Sequence, residues 1–360
     1  MWPYSYISLA DVMIKGSTGA DASILNDEAK KAAIGYAQTM KALMYIRAIE
    51  MRDSLGVPFG TDLPDGELAP ILCKPSVLDG IASILDSAAT ALQGGGSSFP
   101  FSLPGGFSRF NTPATFLTFN RALAAKVDVY RGFESYASTA AVDKPALDSA
   151  LVALDASFIS TDAGQLDAGP EHQFSTATGE RVNPLFQDAS GSDYRANPRV
   201  VSEAEDGDQR VARNTAKGVL KSLSDVGSDI MITTYTSNDS PIPIITNKEL
   251  ILIRAEAQWG LENMPEAMSD VNFIRENDAG LPTVTVTNPD SVLTQILKEK
   301  RYSLLFTSPA HWVDSRLFGR LVGDPPAGLG QERGNDPIAA FPIPASEASG
   351  REGITACVDQ

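Results

Sequence analysis

The chain has 360 residues and a formal net charge of −16, from 45 Asp and Glu against 29 Lys and Arg. A chain this acidic has no general electrostatic attraction to nucleic acid or anionic lipid, so neutral or cationic ligands are favoured. Hydrophobic residues make up 43% and aromatic residues 8%, an ordinary globular composition that excludes a disordered chain. The sequence contains no run of about 18 apolar residues, so it predicts no membrane-spanning helix.

Four stretches in the first half of the chain repeat apolar residues at helical spacing. Clusters rich in glycine follow the first two stretches and predict where these helices end. Thr112 before Pro113 places a capping hydroxyl ahead of a proline at the first helical position. We therefore expect two helix pairs within residues 27–158. The four helices are predicted to begin near Asp27, Pro75, Thr112 and Pro145.

Residues 159–245 differ in character from the helical stretches before them. They are rich in Asp, Ser, Gly, Asn and Thr and contain few periodic apolar runs, which predicts one long irregular insert. Loops of this length in a folded protein are usually functional or disordered. We therefore expect ligand contacts in this insert.

Helical periodicity returns over residues 246–320, followed by a C-terminal tail over residues 321–360. Two of the predicted starts have the spacing of a capping box, and two place a capping side chain before a proline. The total is about eight helices in roughly four antiparallel pairs. The four starts here are Thr246 with Glu249, Asn263 with Glu266, Asn288 with Pro289, and Ser308 with Pro309.

Catalytic and redox motifs are scarce in this sequence. It has no phosphate-binding loop, no His-Glu-x-x-His, no Cys-x-x-Cys and no Gly-x-Ser-x-Gly. A hydrolytic triad would have to use His172 or His311, and a structural or surface role is favoured for both. Cys73 and Cys357 are the only cysteines, and they form either one long-range disulfide or two buried thiols. We expect no enzymatic activity and no cofactor.

The acidic segment Glu203–Asp208 places several carboxylates around a glycine. Hard oxygen ligands in a turn suit calcium, so a calcium site is one interpretation. The segment lacks the spacing of an EF-hand loop, which favours the other interpretation, a solvated acidic loop. We therefore predict no metal site.

Candidate ligand-binding residues combine aromatic rings with polar side chains. Sugars present apolar C–H faces and many hydroxyls, so a ring beside amide, carboxylate or guanidinium groups suits them. Tyr194 has no apolar neighbours in sequence to bury it, which makes functional exposure about as favoured as a structural role. For the phenylalanines, anchoring of long loops onto the protein is the favoured alternative. The candidate residues are Tyr194, Arg195, Asn197, Asp193, Phe186, Phe107 and Arg109.

The order of motifs in the last third resembles the SusD/RagB family, the surface nutrient-binding lipoproteins of bacterial outer membranes. That family has a helix reading Leu-x-x-Ile/Leu-Arg-Ala-Glu-Ala, followed by Glu-Ala-x-x-Asp-x-Asn-x-Ile-Arg. A helix with Glu-Arg/Lys-Arg, a Trp/Phe-x-Asp-x-Arg element and a Phe-Pro-Ile-Pro turn follow in the same order. The similar residues here are Leu250–Ala257, Glu266–Arg275, Glu299–Arg301, Trp312–Arg316 and Phe341–Pro344.

This resemblance implies a mainly α fold of tetratricopeptide-like helical hairpins, a SusD-like α-α superhelix with long irregular loop inserts. Residues 1–360 would form a single SusD-like domain. The function implied is non-catalytic capture of a glycan or other nutrient at the outer-membrane surface. The implied partner is a SusC-like TonB-dependent transporter. The matching motifs belong to the scaffold, so the resemblance carries over no binding residues.

The chain departs from the family pattern at its beginning. It is short for the family, starts about where a second or third helix is expected, and shows neither a leader nor a lipidated cysteine. Two alternatives of other classes stay open. One is a helical-repeat scaffold that binds a peptide or protein in a groove. The other is a glycoside hydrolase, which needs two carboxylates about 5–10 Å apart in one cleft.

Overall fold

A computed structural model describes residues 2–64, 66–188, 194–223, 226–323, 337–353 and 356–359. Within these residues the chain forms thirteen α-helices and six strands, so the fold is mainly α, as the sequence predicts. Its contacts divide the chain into two compact units. Unit 1 comprises Met1–Leu103, Phe110–Phe158 and Ser315–Gln360, and unit 2 comprises Pro104–Arg109 and Ile159–Asp314. The single SusD-like domain stays a prediction.

The helices and strands have the following bounds. The helices are α1 Trp2–Gly19, α2 Asp27–Arg52, α3 Lys74–Gln93, α4 Pro113–Gly132, α5 Tyr136–Thr139, α6 Lys144–Asp155, α7 Arg199–Ser202, α8 Gln209–Asn214, α9 Asn247–Gly260, α10 Met264–Ile274, α11 Pro289–Ser303, α12 Ala310–Leu317 and α13 Ala345–Gly350. The strands are β1 Val57–Pro58, β2 Ile71–Leu72, β3 Glu171–His172, β4 Thr215–Leu223, β5 Val226–Ile232 and β6 Ile242–Pro243. In the part of the chain that the structure describes, no helix is both long enough and apolar enough to span a bilayer.

In unit 1, helices that follow one another in sequence pack side by side, α1 on α2, α2 on α3 and α3 on α4, and α6 packs on α4. Small residues allow the close approach: a Cβ on Gly35 would lie 2.6 Å from Leu92 Cγ on the neighbouring helix. The predicted start of α4 is confirmed, because Thr112 Oγ1 accepts a hydrogen bond of 3.2 Å from the Thr115 amide. Unit 1 therefore contains the helical hairpins that periodicity predicts.

The C-terminal tail is joined to unit 1 at the strand before α3. A disulfide links Cys73 and Cys357, which decides between the two interpretations of these cysteines. The Cys73 amide donates to the carbonyl of Val358 at 3.0 Å, and the Val358 amide donates to the carbonyl of Ile71 at 2.9 Å. These backbone bonds place residue 358 parallel to β2. A covalent bond and backbone hydrogen bonds thus link the end of the chain to a segment 284 residues earlier.

Unit 2 has a core between α9 and α10, where Leu166 from the insert packs on Ile251, Leu252 and Ile274. The predicted cap of α11 is confirmed, because Asn288 Oδ1 accepts bonds from the Asp290 and Ser291 amides. Asn263 is the N-cap residue of α10, as predicted, but its side chain makes no capping hydrogen bond. Its Nδ2 instead donates to Gln258 Oε1 at 2.8 Å. The tight turn between α9 and α10 brings these two side chains together, so Asn263 bonds back to the preceding helix.

The insert contains two regular pieces that its composition does not predict. Strands β3 and β6 pair in antiparallel fashion across it, and β4 and β5 form an antiparallel hairpin. In the hairpin, Lys217 pairs with Ile230 and Lys221 with Ser228, so three residues of β4 lie opposite one residue of β5. This bulge breaks the two-residue alternation by which a strand is predicted from sequence.

Candidate ligand-binding site

The segment Tyr194–Asn197 lies against the hairpin of β4 and β5. The Ala196 amide donates to the carbonyl of Ile230 at 2.9 Å, and Ser228 Oγ donates to the carbonyl of Ala196 at 2.7 Å. Ala196 is buried by this contact, whereas Tyr194 on one side and Asn197 on the other are exposed. The segment therefore runs beside β5 with its polar and aromatic side chains outward.

Arg195 fixes the same segment to the bulge of β4. Its Nε donates to the carbonyl of Val219 at 3.2 Å, and its Nη1 donates to the carbonyl of Tyr194 at 2.7 Å. Asn197 lies just before helix α7. Its Oδ1 accepts a hydrogen bond of 3.0 Å from the Arg199 amide at the start of that helix. The local backbone around Tyr194 is thus held by side chains on both sides of it.

The bulge adds two exposed apolar side chains to this region. Val219 is 66% exposed and Leu220 is 63% exposed, while Tyr194 is 59% exposed. We call Tyr194, Arg195, Asn197, Val219 and Leu220 the hairpin surface. It combines a ring, two aliphatic side chains, a guanidinium and an amide, which are the groups that suit the apolar and hydroxyl faces of a sugar. The sequence predicted three of these five residues.

Val219 and Leu220 were not predicted because two apolar residues in a polar insert also fit a small buried cluster. The sequence signal for the exposure of these two residues is local. Gly218 and the flanking lysines Lys217 and Lys221 surround the apolar pair, a pattern that suits an exposed, bulged strand. That pattern says nothing about which segment lies beside the strand, so it does not connect Val219 with Tyr194.

Phe107 and Arg109 lie in a different part of unit 2. They belong to a short 3₁₀ segment, Gly105–Phe110, and Phe107 is only 5% exposed. Arg109 is exposed, and its Nη2 donates to Gln165 Oε1 at 2.7 Å. A Cβ on Gly106 would overlap the carbonyl oxygen of Glu171, so this loop lies directly on β3. The loop that carries these two residues therefore contacts residues 165–173.

Phe186 is half-buried next to a turn held by Asn183. Asn183 Oδ1 accepts from the Leu185 amide at 2.8 Å, and Asn183 Nδ2 donates to the carbonyl of Ser240 at 2.8 Å. These bonds tie the turn to the segment before β6. Asp193 lies outside the described residues.

In the acidic segment Glu203–Asp208, three carboxylates pair with basic side chains, whereas Asp206 is exposed. Glu203 pairs with Arg301 at 2.7 Å, Glu205 with Arg275 at 2.7 Å, and Asp208 with Arg210 at 2.6 Å. Hydrogen bonds from Arg275 and Lys298 lower the pKa of Glu205 to about 2, against the effect of burial. The carboxylates that suggested calcium thus neutralise basic side chains of unit 2.

The two histidines lie in different surroundings. Burial, with the nearby Arg301 charge, lowers the pKa of His311 to about 4, so this imidazole is neutral at pH 7. His172 is exposed in β3, where it pairs with Ile242 of β6.

No protein-family model and no curated protein matches this sequence. Solved structures do match. A SusD superfamily protein from Parabacteroides distasonis is 19% identical, with 98% of this chain and 83% of that chain covered at a TM-score of 0.69. A crystal structure with xylogluco-oligosaccharide is 18% identical over 88% of this chain and 70% of that chain, with a TM-score of 0.62. Surface glycan-binding protein A from Bacteroides uniformis is 15% identical over 89% and 72%, with a TM-score of 0.58.

The chain therefore has a SusD-like fold, built mainly of helices. The motif order in residues 246–344 predicted this fold, and the structural comparison confirms it.

Proposed function

We propose that this protein is a non-catalytic glycan-binding component of an outer-membrane uptake system. The observation that carries the proposal is the SusD-like fold together with an exposed ring on the insert. Two structural neighbours add support, since one was crystallised with xylogluco-oligosaccharide and the other is named a surface glycan-binding protein. In this proposal the protein captures an oligosaccharide at the cell surface and passes it to a SusC-like TonB-dependent transporter.

The hairpin surface is the proposed contact area for the oligosaccharide. The Tyr194 ring would stack on the apolar face of one sugar, with Val219 and Leu220 extending the apolar contact. Arg195 and Asn197 would bind the hydroxyl groups at its edge. Asp193, Phe186, Phe107 and Arg109 remain proposed contacts.

The buried carboxylates support binding rather than hydrolysis. Glu50 lies 2.7 Å from Lys126, Glu256 lies 2.7 Å from Lys300, and Glu299 lies 2.8 Å from Arg275. A glycosidase needs one carboxyl group free to donate a proton and a second free to attack or to activate water. Each of these three carboxyl groups is instead paired with a cation in the protein interior.

The disulfide supports a location outside the cytoplasm. Disulfides persist in oxidising compartments and are rare where thiols are kept reduced. The Cys73–Cys357 bond is therefore in accord with an outer-membrane surface location, the one that the resemblance implies. Both the location and the transporter partner are parts of the proposal.

The test is a glycan-array and affinity-gel screen of the wild type and two variants, with reducing-sugar release assayed in parallel. Tyr194→Ala removes the exposed ring of the hairpin surface. Tyr6→Ala is the matched control, because Tyr6 is 56% exposed on α1 of unit 1. We expect Tyr194→Ala to weaken binding about tenfold, the usual scale for an aromatic anchor, and Tyr6→Ala to leave it unchanged.

Each other outcome has a defined meaning. Sugar release by the wild type would refute the non-catalytic function. Glycan binding that is unaffected by Tyr194→Ala would refute the hairpin surface and move the site toward Phe107 and Arg109. Absence of binding to every glycan, with capture of a peptide, would favour the helical-repeat scaffold instead.

A further inference from the structure

Two sets of ion pairs join the acidic segment Glu203–Asp208 to helix α11. In the first, Glu203 accepts from Arg301 at 2.7 Å. In the second, Glu205 lies between Lys298 at 2.5 Å and Arg275 at 2.7 Å. The second set continues inward through a buried carboxylate. Glu299 lies 2.8 Å from Arg275 and 2.7 Å from Arg210, and Arg210 lies 2.6 Å from Asp208. We call these eight side chains the ion-pair network: Glu203, Glu205, Asp208, Arg210, Arg275, Lys298, Glu299 and Arg301.

Charge and burial make this network rigid at its centre. Arg210, Arg275 and Glu299 are fully buried, and the two guanidinium groups share the Glu299 carboxylate. Arg210 also donates to Ser303 Oγ at 2.9 Å. A buried charge without its partner is strongly unfavourable, so the buried members keep one arrangement. Glu203 and Arg301 are only half-buried, so this pair can be changed without creating a cavity in the protein interior.

The network holds the chain on both sides of the hairpin surface. On one side, the single helix α7 separates Asn197 from Glu203, and the Glu203 amide closes that helix on the Arg199 carbonyl at 3.1 Å. On the other side, α8 ends at Asn214, directly before Thr215, the first residue of β4. Arg210 of α8 belongs to the network, and Arg213 of the same helix pairs with Asp278 at 2.7 Å. Both segments that supply the hairpin surface are thus connected to α11 within a few residues.

We propose that the ion-pair network positions the hairpin surface for its ligand, with Arg275 and Arg301 as positioning residues. The inference rests on the proposed function, since it concerns the same site. Binding of a sugar by exposed side chains is weakened when those side chains must first be ordered. A network that holds α7 and α8 on α11 removes that cost in advance. The family-like motifs Glu266–Arg275 and Glu299–Arg301 would then serve the ligand site through the insert as well as holding helices together.

The first measurement is hydrogen exchange of the free protein, which needs no ligand. Arg301→Gln removes the half-buried Glu203–Arg301 pair. Arg254→Gln is the control, because the half-buried Arg254 also pairs with a carboxylate, Asp270 at 2.6 Å, between α9 and α10 of the same unit. We expect Arg301→Gln to raise exchange in residues 194–202 and 215–223, and Arg254→Gln to leave it unchanged there. Equal exchange in wild type and Arg301→Gln, or an equal rise in both variants, would overturn the proposal.

The second measurement is affinity for a glycan found in the screen. If the binding-competent arrangement falls to a minor fraction, affinity falls by the same factor, so we expect Arg301→Gln to bind about fivefold to tenfold more weakly. The double variant Glu203→Arg with Arg301→Glu restores an ion pair and should recover both affinity and protection. Failure of the swapped pair to recover either quantity would refute positioning by this contact. If no glycan binds but exchange changes as expected, the proposed function fails and the positioning role stands.

Discussion

Lys300 Nζ lies 2.7 Å from Glu256 Oε2, and both side chains are buried where α11 packs on α9. Asp314 Oδ2 lies 3.1 Å from the same ammonium, so one cation faces two buried carboxylates. Burial, together with the negative charge of Asp314, raises the pKa of Glu256 to about 8. The positive charge of Lys300 acts in the opposite direction. Asp314 and Glu256 raise the pKa of Lys300, which stays protonated against the effect of burial. The excess negative charge makes this site sensitive to alkaline conditions.

Glu256→Gln is expected to remove a source of instability at high pH. A carboxyl group whose pKa is raised in the folded state favours folding most below about pH 4.5, and this contribution declines as pH rises through about 8. The stability of the variant relative to wild type should therefore increase from pH 5 to pH 9, by at most about 1.4 kcal/mol per pH unit. Urea unfolding at pH 5, 7 and 9 measures this. A difference that is constant with pH would contradict the prediction.

Glu50→Gln should show the opposite pH dependence. Glu50 is fully buried, lies 2.7 Å from Lys126 and accepts from Tyr130 Oη at 2.9 Å. Burial opposes ionisation, but Lys126 and Arg47 lower the pKa of Glu50 to about 2. Its ionised form therefore stabilises the protein above about pH 4.5, and this stabilisation is lost as pH falls toward 2.

At pH 7 the Glu50→Gln variant leaves the buried Lys126 without its carboxylate, which costs about 3 kcal/mol of unfolding free energy. The difference from wild type should shrink at pH 3. Denaturant unfolding at the two pH values provides the measurement, and Glu67→Gln, at an exposed position, serves as the control. An equal loss at pH 7 and pH 3 would show that Glu50 acts by packing and hydrogen bonding rather than by charge.

Removal of the disulfide should lower stability. The Cys73–Cys357 bond closes a loop with a sequence separation of 284, so it restricts the unfolded chain strongly. We expect the double variant Cys73→Ser with Cys357→Ser to lose about 2–5 kcal/mol of unfolding free energy. Guanidinium unfolding of the variant, and of wild type with and without a reductant, measures the loss. Identical midpoints for oxidised and reduced wild type would contradict this expectation.

Gly56 is expected to tolerate no side chain. It has a φ of 66°, and a Cβ there would overlap the carbonyl oxygen of Leu72 and lie 2.8 Å from Cys357 Cβ. Gly60 has a φ of 84° but no atom within 4 Å of its Cβ position, so Gly60→Ala isolates the backbone effect. That effect is about 1 kcal/mol, and Gly56→Ala should lose clearly more because Leu72 and the tail must shift. Thermal unfolding of both variants decides this, and equal losses would show that the tail moves freely.

The candidate site illustrates the limit of local signals. The polar neighbours of Tyr194 made exposure about as favoured as a structural role, since burial needs apolar contacts that the adjacent sequence does not supply. The ring is exposed in the structure. The same reasoning did not find Val219, because its position beside Arg195 depends on a hairpin 20 or more residues away and on an irregular register. For the acidic segment Glu203–Asp208, composition predicted a solvated loop, whereas Arg275 and Arg301, about 70 and 98 residues further on, bind its carboxylates.

By itself the sequence determined the helical architecture and the order of motifs that predicts a SusD-like fold. Helix periodicity and caps such as Thr112 and Asn288 operate within one or two turns, so their physical cause is contained in the local sequence. Only the tertiary structure decided that Cys73 meets Cys357, that the Asn263 side chain bonds to Gln258 instead of capping α10, and that the insert carries an ion-pair network. Such contacts depend on how elements distant in sequence pack together, and neither composition nor spacing encodes the distance between them.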